Sequence, residues 1–309
     1  MERIKFAKLS GSGNDFICID NRDGRFDEVV NYPERVGHFA RTLCRRGLAI
    51  GADGVIFAGQ PEIDGVSDIG ARFFEADGSE AELCGNGAAC FVRWVTSNGW
   101  VPDGQIKVLT VAGVVLGSRQ DGRYVRVCIP LPENIQTDLD VLAAGVLFRC
   151  DYAIAGVPHL VTQVEDIDLV DVGLYGPALR HHARFQPRGV NANFVQVLGP
   201  GEIAVRTFEY GVEGETLACG TGSAASAVLT AMRNGWGREY RTGKKPILVR
   251  ARSGQVLRIY VKGDDDGTLE DLCLETVVQF AYSAEVHPEL AARALNACPK
   301  AEPCGSCTA

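Results

Sequence analysis

One signature occurs twice in this chain, and it limits the fold more than any other feature. Leu83-Cys84-Gly85-Asn86-Gly87 and Ala218-Cys219-Gly220-Thr221-Gly222 each set a cysteine before a Gly-x-Gly turn, and each turn leads into an alanine-rich apolar run. The correspondence extends beyond the turns. Arg72, Phe74 and Glu75 match Arg206, Phe208 and Glu209, and Asn98-Gly99-Trp100 matches Asn234-Gly235-Trp236. Ile106-x-Val108 through Val115-Leu116 recurs as Ile247-x-Val249 through Val256-Leu257. The offset drifts from 134 at the first block to 141 at the last (206 − 72; 247 − 106). A duplicated unit with small insertions produces that drift. Two copies of so long a unit make a paired-domain protein, because solenoids repeat every ~20–50 residues.

The length of 309 residues independently suits two domains of roughly 150 each. The runs after the two turns, 88–96 and 223–232, are apolar on nearly every side. A helix without a polar face is buried at the centre of its domain. Short β-like runs surround each, among them 106–116, 124–129, 146–154, 194–198, 203–208, 247–252 and 256–261. The fold class that follows is α+β: two pseudo-symmetric halves, each a curved sheet or barrel wrapped around one buried central helix. Ile129-Pro130-Leu131-Pro132 breaks regular structure, which divides the chain into 1–129 and 130–275. Residues 285–309 carry Cys298, Cys304 and Cys307 without a nearby histidine, short of a four-ligand zinc site, and read as a flexible tail.

Composition excludes several partners. A net charge of −8 speaks against nucleic acid, which calls for a basic face. No stretch approaches the ~18 apolar residues of a membrane span, and the charged start leads into no apolar signal core. Eleven cysteines are many, but the odd count does not suit a secreted disulfide framework. Cys18, Cys44, Cys90, Cys128 and Cys150 are expected to fill cores as small hydrophobes. The expectation is a soluble cytoplasmic protein in a reducing compartment. Two other patterns are set aside. Gly11-Ser12-Gly13 lacks the third glycine and the helix of a dinucleotide fingerprint. His181 and His182 are adjacent and read as a solvated face, not a metal site.

A cysteine at such a turn has defined chemistry. The glycines let backbone N–H groups converge, and the helix start adds partial positive charge. The turn therefore binds a carboxylate without a basic side chain, and it is expected to lower the thiol pKa. Two such turns related by pseudo-symmetry hold one carboxylate between them, with a sulfur on each side of its α-carbon. One thiolate removes the α-proton while the opposite thiol protonates the other face, and the carbanion's charge spreads into the bound carboxylate. That is stereoinversion without a cofactor or a metal. The other assignment for the same residues is a non-catalytic carboxylate-binding module, in which the cysteines serve as helix caps.

At these residues the sequence resembles the diaminopimelate epimerase family, from about Ile4 to about Ala284. The motifs are Gly13-Asn14-Asp15-Phe16, Ala76-Asp77-Gly78-Ser79-Glu80, Cys84-Gly85-Asn86-Gly87, Pro158-His159, Val190-Asn191 and Leu217-Ala218-Cys219-Gly220-Thr221-Gly222. The resemblance implies a cofactor-independent isomerase of LL-2,6-diaminopimelate, in lysine and cell-wall precursor biosynthesis. It implies Cys84 and Cys219 as the proton-transfer pair, with His159 and Glu209 supporting the reacting centre. It further implies a carboxylate cradle at Gly85, Asn86, Gly220 and Thr221, substrate contacts from Asn14 and Asn191, and a last strand at about 277–282 that returns to the first half. Its partner is a small amino acid, and a homodimer is among the assemblies it allows.

The chain departs from the family at the distal end of the substrate. Glu75, Val157 and Tyr210 stand where the family usually has asparagine, asparagine and arginine. Losing a guanidinium removes the usual bidentate clamp on a carboxylate. Either another cation, such as Arg188 or Arg72, takes over that carboxylate, or the substrate carries a neutral or cationic distal group. The density of the remaining pattern favours the first.

Overall fold

A computed structural model describes residues 3–61, 65–264 and 268–296. Cys298, Cys304 and Cys307 therefore lie outside the described residues. Strands β1 (Lys5–Gly11), β2 (Asn14–Asp20), β3 (Gly54–Gly59), β4 (Ile69–Glu75), β5 (Glu80–Ala81), β6 (Gln105–Thr110), β7 (Gly113–Arg119) and β8 (Tyr124–Cys128) belong to the first half. The second contains β9 (Glu133–Ala143), β10 (Val146–Ala155), β11 (Val157–Gln163), β12 (Asn191–Gly199), β13 (Glu202–Glu209), β14 (Gly214–Thr216), β15 (Ile247–Ala251) and β16 (Val256–Gly263). The helices are α1 (Asp27–Val30), α2 (Pro33–Cys44), α3 (Gly85–Ser97), α4 (Val172–Arg180), α5 (Gly220–Arg233) and α6 (Pro288–Leu295).

A final long strand, β17 (Leu269–Glu285), serves both halves. Its start pairs with β16, from Leu269↔Gly263 to Glu275↔Arg258. Its middle pairs with β8 from Cys273, and its end runs along β1 from Val278 to Glu285. With that strand the first half closes as an eight-stranded barrel, β1-β2-β3-β4-β6-β7-β8-β17.

Parallel pairing places the central helices. Both β4–β6 and β13–β15 are parallel, and parallel neighbours need a crossover, which a helix usually supplies. Here the crossovers are α3 and α5, and their all-round apolar surfaces draw each into the interior of its own sheet, whereas α2, which joins the equally parallel β2 and β3, packs on the outside. Alanine keeps them slim: Ala88, Ala89, Ala224, Ala225 and Ala227 are all buried. Phe91, Val92 and Val95 on α3 meet Ile106, Val115, Val125 and Val127 of the barrel wall. Val228 and Leu229 on α5 meet Val195, Val249, Leu257 and Ile259. A further layer, α2 with α6, covers the outside of the first barrel.

Two expectations change. Residues 288–295, read as part of a flexible tail, form α6, whose Ala291 and Ala294 pack in the core with Val36 and Phe39 of α2. Their apolar spacing is helical, and the partner surface was invisible in sequence. Cys128, expected as a core filler, is joined to Cys273 by a disulfide between directly paired positions of β8 and β17. Among the described residues, no helix is long and apolar enough to cross a membrane.

The turn after β4 is pressed onto α2. Arg41 Nη1 donates to the Asp77 carbonyl at 2.6 Å. Gly78 has φ +90°, and a methyl there would collide with Gly37 Cα and stand 2.8 Å from its carbonyl oxygen. Backbone strain and overpacking each cost about 1–3 kcal/mol. Gly78→Ala is therefore expected to lower stability by about 2–4 kcal/mol. Gly47→Ala, also at positive φ (+76°) but in open space, should lose only about 1 kcal/mol. Urea midpoints at unchanged slope measure both.

Candidate active site

Each cysteine is the N-cap of its central helix. Cys84 has φ −119°, ψ 114° and Cys219 φ −110°, ψ 115°, the extended geometry of a cap. Their sulfurs accept the N–H of the third residue on, from Gly87 at 3.4 Å and Gly222 at 3.3 Å. The N–H groups before it belong to a helix first turn and have no acceptor within the helix.

The two turns abut. A methyl on Gly85 would lie 3.9 Å from Gly220 Cα, and one on Gly220 would lie 3.7 Å from Asn86 N. Both would press on Leu274 Cδ2, at 3.2 and 3.0 Å. The helix starts thus meet above one leucine of β17, and a side chain on either glycine would have to displace that leucine's methyl by a few tenths of an ångström. Asn86 ties them together: its amide donates to Asn14 Oδ1 at 2.6 Å and reaches the Ala218 carbonyl at 3.5 Å. Asn14 in turn donates to Asp53 at 3.4 Å.

Glu209, at the end of β13, accepts from the Thr216 hydroxyl, and its charge acts on the Cys219 thiol. The Thr221 hydroxyl lies 3.6 Å from the same sulfur. Glu75 holds the matching place at the end of β4, where its charge acts on Cys84. Asn191 lies beside His159 in the parallel β11–β12 register, and its Oδ1 accepts the Tyr210 N–H at 2.6 Å. Asn191 therefore shapes the turn after Glu209. Tyr210 is exposed at the rim, with Arg180 4.4 Å beneath its ring.

One residue here escaped the sequence reading. Asn193 is buried and bridges His159 Nδ1 at 3.3 Å, the Leu160 carbonyl at 3.0 Å and the Thr207 hydroxyl at 2.9 Å. Its alternation with Asn191 on β12 was the available signal. A separate cavity of about 570 Å³ lies at the other end of α5, lined by Val228, Met232, Tyr240 and Val261, and contains none of these residues. Cys128, Asp271 and Cys273 group their ligand atoms within 4.8 Å, with the two sulfurs joined as a disulfide.

Electrostatics reverse one expectation. Burial pushes the Cys84 thiol up to about 12, with Glu75 adding to it and the Gly87 N–H opposing. Cys219 is likewise raised by burial and then by Glu209, against the Gly222 N–H. The helix-start contribution is present but smaller than desolvation and like charge. His159 is pushed down to about 3 by burial, so its ring is neutral. Burial raises Glu209 as well. Glu75 is raised to about 7 by burial, then by Glu209, Asp77 and Asp53.

Of the cations expected to compensate for the altered positions, Arg72 is held by Glu80 at 2.7 and 2.8 Å and by Asn31 at 3.0 Å. Arg188 is exposed on the segment before β12.

The raised Glu75 has a measurable consequence. A carboxyl that binds its proton more tightly when folded stabilises the fold below its unfolded pKa, ordinarily 4.5, and loses that stability as pH rises through about 7. Glu75→Gln lacks the loss. Its stability should equal the parent's near pH 4 and exceed it at pH 8 by about 1–2 kcal/mol, below the full linkage value because solvent reaches the carboxyl. Thermal melts across that range provide the check.

The chain is similar to known proteins over most of its length. A family model for diaminopimelate epimerase matches residues 6–128 and 152–270. The diaminopimelate epimerase of Aquifex aeolicus is 39% identical over 260 residues, covering 83% of this chain and 89% of that protein. That of Methanocella arvoryzae is 40% identical over 240 residues, covering 74% and 82%. Among solved structures, a hydroxyproline epimerase from Agrobacterium vitis superposes with a TM-score of 0.68 at 15% identity, covering 92% of each chain. A PhzF-family phenazine biosynthesis protein from Bacillus anthracis gives 0.69 at 14%, covering 93% of this chain and all of that one. These last two share the fold. By the family match and the identity of its relatives, the chain belongs to the diaminopimelate epimerase family and is an isomerase.

Proposed function

We propose that this chain inverts the α-carbon of an amino acid, converting LL-2,6-diaminopimelate to the meso form, with Cys84 and Cys219 as the two acid/bases. The observation that carries the reading is the meeting of two cysteine-capped helix starts at Gly85 and Gly220. The substrate's α-carboxylate is held by the first-turn N–H groups at Gly85, Asn86, Gly220 and Thr221, where the two helix ends supply positive potential without a side-chain cation. The α-carbon then lies between the sulfurs. In one direction a thiolate takes the α-proton, and the C–H electron pair passes into the carboxylate as an enediolate. The opposite thiol returns a proton to the other face and is left as the thiolate. Each turnover therefore exchanges the protonation states of the pair.

Glu209 is placed to hold the α-ammonium beside Cys219. Binding that cation offsets the like charge that raises the thiol and makes the thiolate accessible when substrate is present. Neutral His159, fixed by Asn193, supplies a hydrogen-bonding group that carries no competing charge. Asn14 and Asn191 complete the cradle, and Tyr210 closes its rim. We place the boundary between the halves near Ile129, with β17 returning to the first. Racemisation of a related amino acid is the second reading, favoured by one observation: Arg72 is already committed to Glu80.

In D2O the protein should incorporate deuterium at the α-carbon of LL-diaminopimelate as it forms the meso isomer, followed by proton NMR. Cys84→Ala and Cys219→Ala should each slow inversion by about 10²–10⁴-fold, the usual contribution of a positioned acid or base. Each should still wash out the α-proton of the one stereoisomer that faces its remaining sulfur. Inversion at the parent rate by either variant rules out the two-thiol mechanism.

A further inference from the structure

Glu75 is the one acidic group in the site with nothing set against it. Among the described residues its carboxyl makes no hydrogen bond or ion pair, and Glu209, Asp77 and Asp53 crowd it with like charge. No cation of the described residues is among the charges acting on it, and those of the surrounding elements are engaged elsewhere: Arg72 with Glu80, Arg41 with the Asp77 carbonyl, Arg46 with Asp15 and Asp53, Lys8 with Asp15, and Arg180 with Glu213. Two further polar atoms of the same site lack partners, Asn86 Oδ1 and His159 Nε2, on residues 1% and 0% exposed. A half-buried carboxyl among other carboxyls is unfavourable unless a cation arrives.

The internal duplication decides which part of the substrate meets it. The repeat equates Glu75 with Glu209 and Cys84 with Cys219, so the pseudo-twofold axis passes between the sulfurs and along the bound α-carboxylate. Of the four groups on the α-carbon, the hydrogen faces a sulfur and the carboxylate lies on the axis. The amino group and the side chain then fall on opposite sides. With the amino group against Glu209, the side chain runs toward Glu75.

We propose that Glu75 reads an ammonium at the distal end of the substrate, so that the site accepts α-amino acids with a second, distal amino group, whether or not a carboxylate stands beside it. This rests on the two-thiol reading above. Two carboxyls then meet two ammonium groups, and a substrate with an apolar side chain leaves one of them uncompensated.

The test measures α-deuteration of LL-diaminopimelate, L-lysine, L-ornithine and L-norleucine by the parent, Glu75→Gln and Arg188→Met. The parent should process lysine or ornithine with a kcat/KM within about tenfold of diaminopimelate, and norleucine at least about a hundredfold more slowly, the range of one charged hydrogen bond. Glu75→Gln should raise KM for the diamino acids by about ten- to a hundredfold with kcat little changed, and Arg188→Met should leave all four substrates alone. A strong preference for diaminopimelate that Arg188→Met abolishes would assign the distal reader to a carboxylate and overturn the proposal. Equal loss of kcat on every substrate in Glu75→Gln would make Glu75 a partner of Cys84 instead. Calorimetric binding of lysine to Cys84→Ala/Cys219→Ala protein, with and without Glu75→Gln, is independent of turnover. Weaker binding on losing Glu75 supports its role even if the parent exchanges nothing and the two-thiol reading fails; unchanged binding rejects it.

Discussion

Everything in this molecule depends on two helix starts being allowed to touch. Gly85 and Gly220 leave their backbones close enough that a methyl on either would touch the other turn and press on Leu274 beneath them. Because no side chain intervenes, the first turns of both helices lie side by side, and helix first turns favour an anion. The price is paid in desolvation, which drives both thiols and both glutamates toward their neutral forms. A zwitterionic ligand brings an ammonium that offsets the like charge of these carboxyls and a carboxylate for the helix starts.

The sheets exist to bring those starts together. A helix joining parallel strands must cross its sheet, and each central helix crosses on the inner side. Small residues let it fit within a barrel of eight strands, and the strand ends deliver the remaining groups. Glu75 and Glu209 close β4 and β13, and His159, Asn191 and Asn193 stand on β11 and β12. Side chains on strands are held more firmly than side chains on loops, which suits proton transfer over a few tenths of an ångström.

Much of this was legible before the structure. The paired Cys-Gly-x-Gly turns, the all-apolar helices and the drifting repeat are local signals, and they place the two thiols correctly at helix starts. The sign of the thiol shift was not legible, because the helix contribution is local whereas desolvation depends on the whole surrounding barrel. Asn193 was missed for a similar reason: an asparagine on a strand declares nothing until its face is known to be buried. The Cys128–Cys273 pair depends on register between strands separated by 145 residues. Helix α6 needed the buried face of α2 as its partner. In each case the missing information was long-range.

The shared strand has a consequence for how the molecule could be taken apart. β17 is the stave that closes the first barrel, yet it is made from chain that follows the second half and starts in that half's sheet. Cutting at the repeat boundary would leave the leading fragment as an open trough with raw edges on β1 and β8, and the trailing fragment with a strand that pairs with β16 up to Glu275 and has lost its β8 and β1 partners beyond it. The two copies have thus lost their independence through topology, whatever autonomy a single ancestral unit once had.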